Sequence, residues 1–113
     1  KETLKDILPE EGRRATAADI IKFVARHYGL KVSEIKSKSN SKQIAFPRQV
    51  AMYLIRKRTD ASLPQIGDAL GGRDHTTVMY AIDKIEGEMD TKTDLRKRIN
   101  NIERELFGQG AVI

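Results

Sequence analysis

Apolar residues recur along the chain at spacings of three and four, the period of a helix buried on one face. Ile20, Ile21, Val24, Ala25 and Tyr28 form the first such stripe. Thr16-x-x-Asp19 ahead of it predicts a capping-box start, and Gly29 predicts the stop. "VSEIKS" reads as a short second helix capped by Ser33. The polar, basic run "KSNSKQ" has no hydrophobic anchor and is expected to be a mobile loop. Pro47 suits the first turn of the next helix, whose stripe is Val50, Ala51, Tyr53, Leu54 and Ile55. Arg56, Lys57 and Arg58 close it with cations at the negative helix end.

Ser62 is placed to cap a short helix through "LPQIGDAL", with Pro64 in its first turn, until Gly71-Gly72 breaks it. Asp74 or Thr76 starts a longer helix with Val78, Ile82, Ile85 and Met89 on one face. A last helix spans about Thr93 to Phe107, with Leu95, Ile99, Ile102 and Leu106 on one face and Gly108 ending it. Upstream, "TLKDIL" is a short helical piece stopped by Pro9, and "PEEGRR" reads as a linker. No strand pattern competes and no repeat is present. The expectation is an all-α fold of about six helices, one domain over residues 15–113 preceded by a linker helix and loop over 1–14.

Composition narrows the function classes. The 113 residues are 39% hydrophobic and 33% charged, with aromatics at 5%, so the core must be mainly aliphatic. Cysteine is absent, which excludes disulfides and thiolate metal sites. No apolar run is long enough to span a bilayer, and "KETLKDIL" is charged and amphipathic, unlike a signal peptide. The chain begins at Lys1 and not Met, which points to a piece of a longer protein. The net charge is +5 and unevenly spread. Lys31, Lys36, Lys38, Lys42, Arg48, Arg56, Lys57 and Arg58 face only Glu34 in the stretch 31–58. Residues 83–105 are balanced by contrast. One basic half suggests a face for a polyanion, against the plainer reading of a solvated basic surface.

The run "GDALGGRDHTTVMYA" carries the functional signal. Two helices joined by a glycine turn make a helix-turn-helix candidate, whose second helix offers its N-terminal residues to the DNA major groove. Asp74 could accept from a cytosine amino group, and the methyl of Thr76 could pack on that of a thymine. Free N–H groups at such a helix start favour a phosphate. Asp74 is also a natural N-cap. Arg48, in a helix's first turn, suits a phosphate; otherwise it is a solvated arginine. Tyr28, Tyr53 and Tyr80 read as packing residues.

An acid–base enzyme at Asp74-His75 is disfavoured. Neighbours on a helix point about 100° apart. His27 is the only other histidine, no carboxylate pair has ligand spacing, and no phosphate-binding G-x-x-x-x-G-K-[ST] occurs. A protein-interaction module remains as an alternative, with the terminal helices docking a regulator and DNA held only by a non-specific basic patch.

"SLPQIGDALGGRDHTTVMYA" resembles the signature of the DnaA replication-initiator family, in its C-terminal DNA-binding domain. "FPRQVAMYL" is similar to that family's basic helix, and "KETLKDIL" to the linker helix that follows its AAA+ ATPase domain. The similarity runs from Ala15 to Ile85, with the last helix agreeing in pattern only. The resemblance implies binding to double-stranded DnaA boxes, elements similar to TTATCCACA at the replication origin, by a cytoplasmic, nucleoid-associated protein. It implies base contacts from Asp74, His75, Thr76, Leu63 and Pro64. It implies phosphate contacts from Arg48, Gln49 and Thr77, with Lys38, Lys42, Arg56 and Lys84 as helpers. Where the family carries a minor-groove arginine in its basic loop, this chain has Asn40, so the groove residue is open between Asn40, Lys38 and Lys42. No metal, cofactor or catalytic residue is expected in the chain, ATP belonging to the AAA+ domain. The implied partners are that domain and replication regulators, with the isolated domain a monomer.

Overall fold

The structure, a computed structural model, describes residues 15–107, and those residues form six helices and no strand. They are α1 (Ala17–His27), α2 (Val32–Ile35), α3 (Lys42–Arg58), α4 (Leu63–Ala69), α5 (His75–Thr91) and α6 (Thr93–Phe107). None is long and apolar enough to cross a membrane. The helix expected over residues 3–8 and the stop at Gly108 lie outside the described residues.

The helix starts follow the polar signals. Thr16 accepts from the Asp19 N–H while the Asp19 carboxylate accepts from the Thr16 N–H, closing a capping box on α1. Ser62 and Gln65 do the same for α4. At the far end of α1, Gly29 lies at φ 71°, and the Leu30 N–H reaches the Ala25 carbonyl at 2.8 Å. That is a Schellman stop, which needs a left-handed residue at this point.

Two boundaries differ from expectation. Lys31 and not Ser33 precedes α2, because the Glu34 carboxylate reaches back 2.8 Å to the Lys31 N–H. Helix α3 starts at Lys42, five residues before Pro47, which therefore sits inside the helix. Proline there withholds the N–H that the Gln43 carbonyl would accept. Burial of Pro47 and of the unbroken run Val50–Ile55 outweighs that loss.

Helix α3 is the axis of the domain. It packs against α1, α2, α4 and α5, and its six consecutive buried residues leave no solvent face in that stretch. Ile20, Val24, Ile35, Ile66, Leu70, Val78 and Ile85 close around it. Helix α6 packs on α1 and α5 through Leu95, Ile99 and Ile102. Glu103 of α6 is 8% exposed and accepts from Lys57 at 3.3 Å and Arg58 at 3.0 Å. Two of the three cations at the end of α3 thus fasten α6. Arg56, the third, is exposed and bonds the Ala61 carbonyl.

Candidate nucleic-acid interface

Helices α4 and α5 pack together and meet at a turn whose backbone geometry demands glycine. Gly71 and Gly72 have φ of 96° and 83°, in the region where a side chain is strained. Gly71 also faces the Lys36 carbonyl closely enough that a Cβ would collide with it. Inside α4, Gly67 lets the turn fold back. Its carbonyl accepts from the Gly72 and Arg73 N–H groups at 2.9 and 2.8 Å, and a Cβ there would collide with the Arg73 carbonyl. Gly67 is thus a close-packing residue as much as a turn residue.

Beyond the turn, Asp74 is the N-cap by position, but its side chain makes no capping bond. The carboxylate is 64% exposed and stands 3.7 Å from His75 Nδ1, too long for a hydrogen bond. His75, Thr76 and Thr77 are exposed as well, while Val78 behind them is fully buried. The first turn of α5 therefore presents a carboxylate, an imidazole, two hydroxyls and unpaired backbone N–H groups to solvent. Among the described residues, no three His, Cys, Asp or Glu side chains could hold a metal ion.

The loop before α3 is better anchored than its polarity suggests. Ser37 Oγ donates to the Glu34 carbonyl, and Ser39 links the Ser37 and Ser41 hydroxyls through bonds of 3.2–3.3 Å. Two guanidiniums grip its root. Arg48 donates from Nε to the Ile35 carbonyl at 2.7 Å and from Nη2 to the Ser37 carbonyl at 2.9 Å. Arg73 donates from Nη2 to the same Ser37 carbonyl at 2.7 Å and from Nη1 to the Leu70 carbonyl at 2.5 Å. Arg73 thereby satisfies an orphan carbonyl at the end of α4 and ties the loop to the turn with the same fork. Burial lowers the pKa of both arginines, and the charge of Arg73 lowers that of Arg48 further. Both stay cationic, as arginine does in proteins.

Arg48, expected as a solvated or phosphate-holding side chain, is 4% exposed, with two donors turned inward. Its burial shows it holding the loop. Gln49 beside it is half-buried. Lys38, Asn40 and Lys42 are exposed on and beside the clamped loop. Pro64 is exposed and Leu63 half-buried at the start of α4. Lys84 is committed to Glu88 at 3.1 Å and lies over the Phe46 ring. The clamp brings the basic loop beside the helix-turn-helix turn; Arg56, at the far end of α3, belongs to neither.

Sequence reasoning missed two features. Arg73 drew no role of its own from the sequence, and nothing in its spacing announces a contact 36 residues away. Tyr80 was read as packing, yet it is 64% exposed. Its place in the helical wheel, opposite Val78 and Ile82, could have revealed that.

Comparison with known proteins places this geometry. The family described as bacterial dnaA protein helix-turn-helix matches residues 17–85. The chromosomal replication initiator protein DnaA of Herpetosiphon aurantiacus is 44% identical over 109 residues, which cover 96% of this chain and 23% of that protein. A crystal structure of a DNA replication initiation factor superposes with a TM-score of 0.73 at 36% identity, over 94% of this chain and 32% of that one. The chain thus spans about a quarter to a third of these relatives. The matched part is the helix-turn-helix portion of DnaA, not its ATPase domain.

Proposed function

The chain belongs to the bacterial DnaA helix-turn-helix family, and from that premise we propose that it binds duplex DNA at DnaA-box elements during initiation of chromosome replication. The observation that carries the reading is the first turn of α5, where Asp74, His75, Thr76 and Thr77 are all exposed and the Asp74 carboxylate is not spent on capping. Inserted in a major groove, these groups match base edges. Asp74 accepts from a cytosine N4 amino group, and the Thr76 methyl meets a thymine methyl. The free N–H groups of the same turn suit a phosphate.

Leu63 and Pro64 add apolar contacts from the start of α4. Thr77, Gln49, Lys42 and Lys38 hold phosphates, with Lys84 and Arg56 as helpers that exchange Glu88 and the Ala61 carbonyl for a phosphate, and the loop carrying Asn40 follows the adjacent minor groove. Arg48 acts chiefly from behind, by shaping that loop. The domain works as a monomer tethered to its ATPase domain, with regulators as further partners.

The test is a titration of the chain against a duplex carrying TTATCCACA and a scrambled duplex at one salt concentration. Specific binding is expected to exceed non-specific binding by about 10³-fold or more. Equal affinities would reduce the interface to a basic patch.

A further inference from the structure

Among the described residues only two large apolar side chains are exposed: Met79 at 43% and Tyr80 at 64%. They are neighbours on α5. The other two tyrosines are used by the fold. Tyr53 is buried beneath Lys57, and Tyr28 packs edge-on to Phe46 under Arg98. Tyr80 makes no hydrogen bond, ring contact or cation contact with the other described residues. A lone exposed aromatic is ordinary on a protein surface, so position must decide what this one means.

We propose that Tyr80, with Met79 beside it, is an apolar base-reading contact of α5, its ring packing on the methyl group of a thymine. The inference rests on the duplex-DNA reading above. Val78, Ala81, Ile82 and Ile85 define the buried side of α5. Opposite them run Thr76, Tyr80, Asp83 and Gly87, all exposed. Tyr80 is one helical turn past Thr76, about 40° around and about 6 Å further along the axis. A helix tip that puts Thr76 against one base edge holds Tyr80 within the same groove, about 12 Å wide.

The chemistry then has one fitting partner. The thymine C5-methyl is the apolar group on the major-groove edge of a base pair, and an aromatic ring with a polarisable thioether beside it matches a methyl. The next residue along this line, Asp83, is acidic and exposed. It would repel phosphate, so the close approach to DNA ends at the turn that carries Tyr80.

The test is a cycle between the protein and the duplex. Tyr80→Ala, Tyr80→Phe and Met79→Ala are titrated against the box, against a scrambled duplex, and against boxes in which each thymine in turn is replaced by deoxyuridine, which lacks only the methyl. Circular dichroism checks the fold, which an exposed position should not disturb. Tyr80→Ala should weaken box binding by about tenfold and Met79→Ala by about threefold, with the scrambled duplex unchanged. Tyr80→Phe should stay within about twofold. One thymine should lose about threefold on methyl removal with the parent protein and nothing with Tyr80→Ala, while the thymine facing Thr76 keeps its sensitivity.

Box binding unaffected by Tyr80→Ala, or fully additive effects at every thymine, would overturn the proposal. Loss with Tyr80→Phe equal to that with Tyr80→Ala would overturn it in favour of a hydroxyl–phosphate bond. If the parent protein itself bound box and scrambled duplexes equally, the duplex reading would fail and this inference with it.

Discussion

Replacing Arg73 by lysine separates the geometry of the clamp from its charge. Arginine spans the Leu70 and Ser37 carbonyls with one planar fork, at 2.5 and 2.7 Å, and touches the Lys36 carbonyl at 3.5 Å. Lysine keeps the positive charge but is a single donor point on a flexible stem, so it cannot hold both carbonyls in that geometry. A hydrogen bond from a charged donor contributes about 1.5–3 kcal/mol where water cannot replace it. Arg73 is only half-buried, and a lost partner is partly rehydrated, so a value around or below the foot of that range applies. The expected cost of Arg73→Lys is about 1–2 kcal/mol of stability, read as a drop of about 4–15 °C in Tm for a domain of this size.

Binding should respond differently on different duplexes. The loop root at Ser37 loses one of its two grips and keeps only Arg48, so Lys38, Asn40 and Lys42 lose their fixed position beside the turn. Affinity for a box duplex should fall by about three- to tenfold, while affinity for a scrambled duplex and its salt slope hold steady because no charge has changed. Urea and thermal unfolding give the stability and Tm, and fluorescence anisotropy on the two duplexes gives the affinities and the salt slope. A variant as stable as the parent and equal to it on both duplexes would show that the fork holds nothing. Equal losses on both duplexes would make Arg73 a plain phosphate contact.

Three further outcomes follow from the same geometry. Thr76→Ala removes a hydroxyl and a methyl from an exposed helix start and should cost about 1–3 kcal/mol on the box alone, with an unchanged circular dichroism spectrum. Parallel losses on a scrambled duplex would mean that the cluster does not read bases. Gly67→Ala should lower stability by about 1–3 kcal/mol in urea unfolding, since the added methyl meets the Arg73 carbonyl and outweighs the better helix propensity of alanine; a stabilised variant would contradict the close approach. Asn40→Arg places a guanidinium on the clamped loop and should tighten box binding with a steeper preference for A·T pairs at the loop's end. Unchanged affinity at several salt concentrations would mean that the loop stays outside the minor groove.

The helices were legible in the sequence because each announces itself locally. Thr16 with Asp19 and Ser62 with Gln65 are complete capping boxes within four residues. The stripes of α5 and α6 repeat at helical spacing. What misled was also local. Pro47 is a strong start signal, yet α3 runs through it, because tertiary burial of the surrounding turns exceeds the loss of one hydrogen bond. "KSNSKQ" looks unanchored because it lacks apolar residues, and its anchors are carbonyls, which every residue has. Arg48 reaches back 11 and 13 residues to them, and Arg73 reaches 36. No pattern within a helical turn encodes such distances.

The two clamping arginines also explain how the reading end can be so exposed. Asp74, His75, Thr76 and Thr77 are all exposed, so they contribute little packing to hold their own segment in place. Support comes from behind, from Val78 and Ile82 in the core and from Gly67 under the turn. The loop has no such apolar backing, and a guanidinium suits the task better than a hydrocarbon. It satisfies carbonyls that a packed loop would otherwise leave orphaned. It also carries positive charge toward the side where a polyanion would lie. Arg48 and Arg73 share the Ser37 carbonyl, and the pKa of Arg48 is lowered first by burial and then by repulsion from Arg73. A nearby phosphate would relieve that repulsion. In the proposed complex the clamp would be tightest with DNA bound, the loop and the α5 tip facing two adjoining grooves of one duplex.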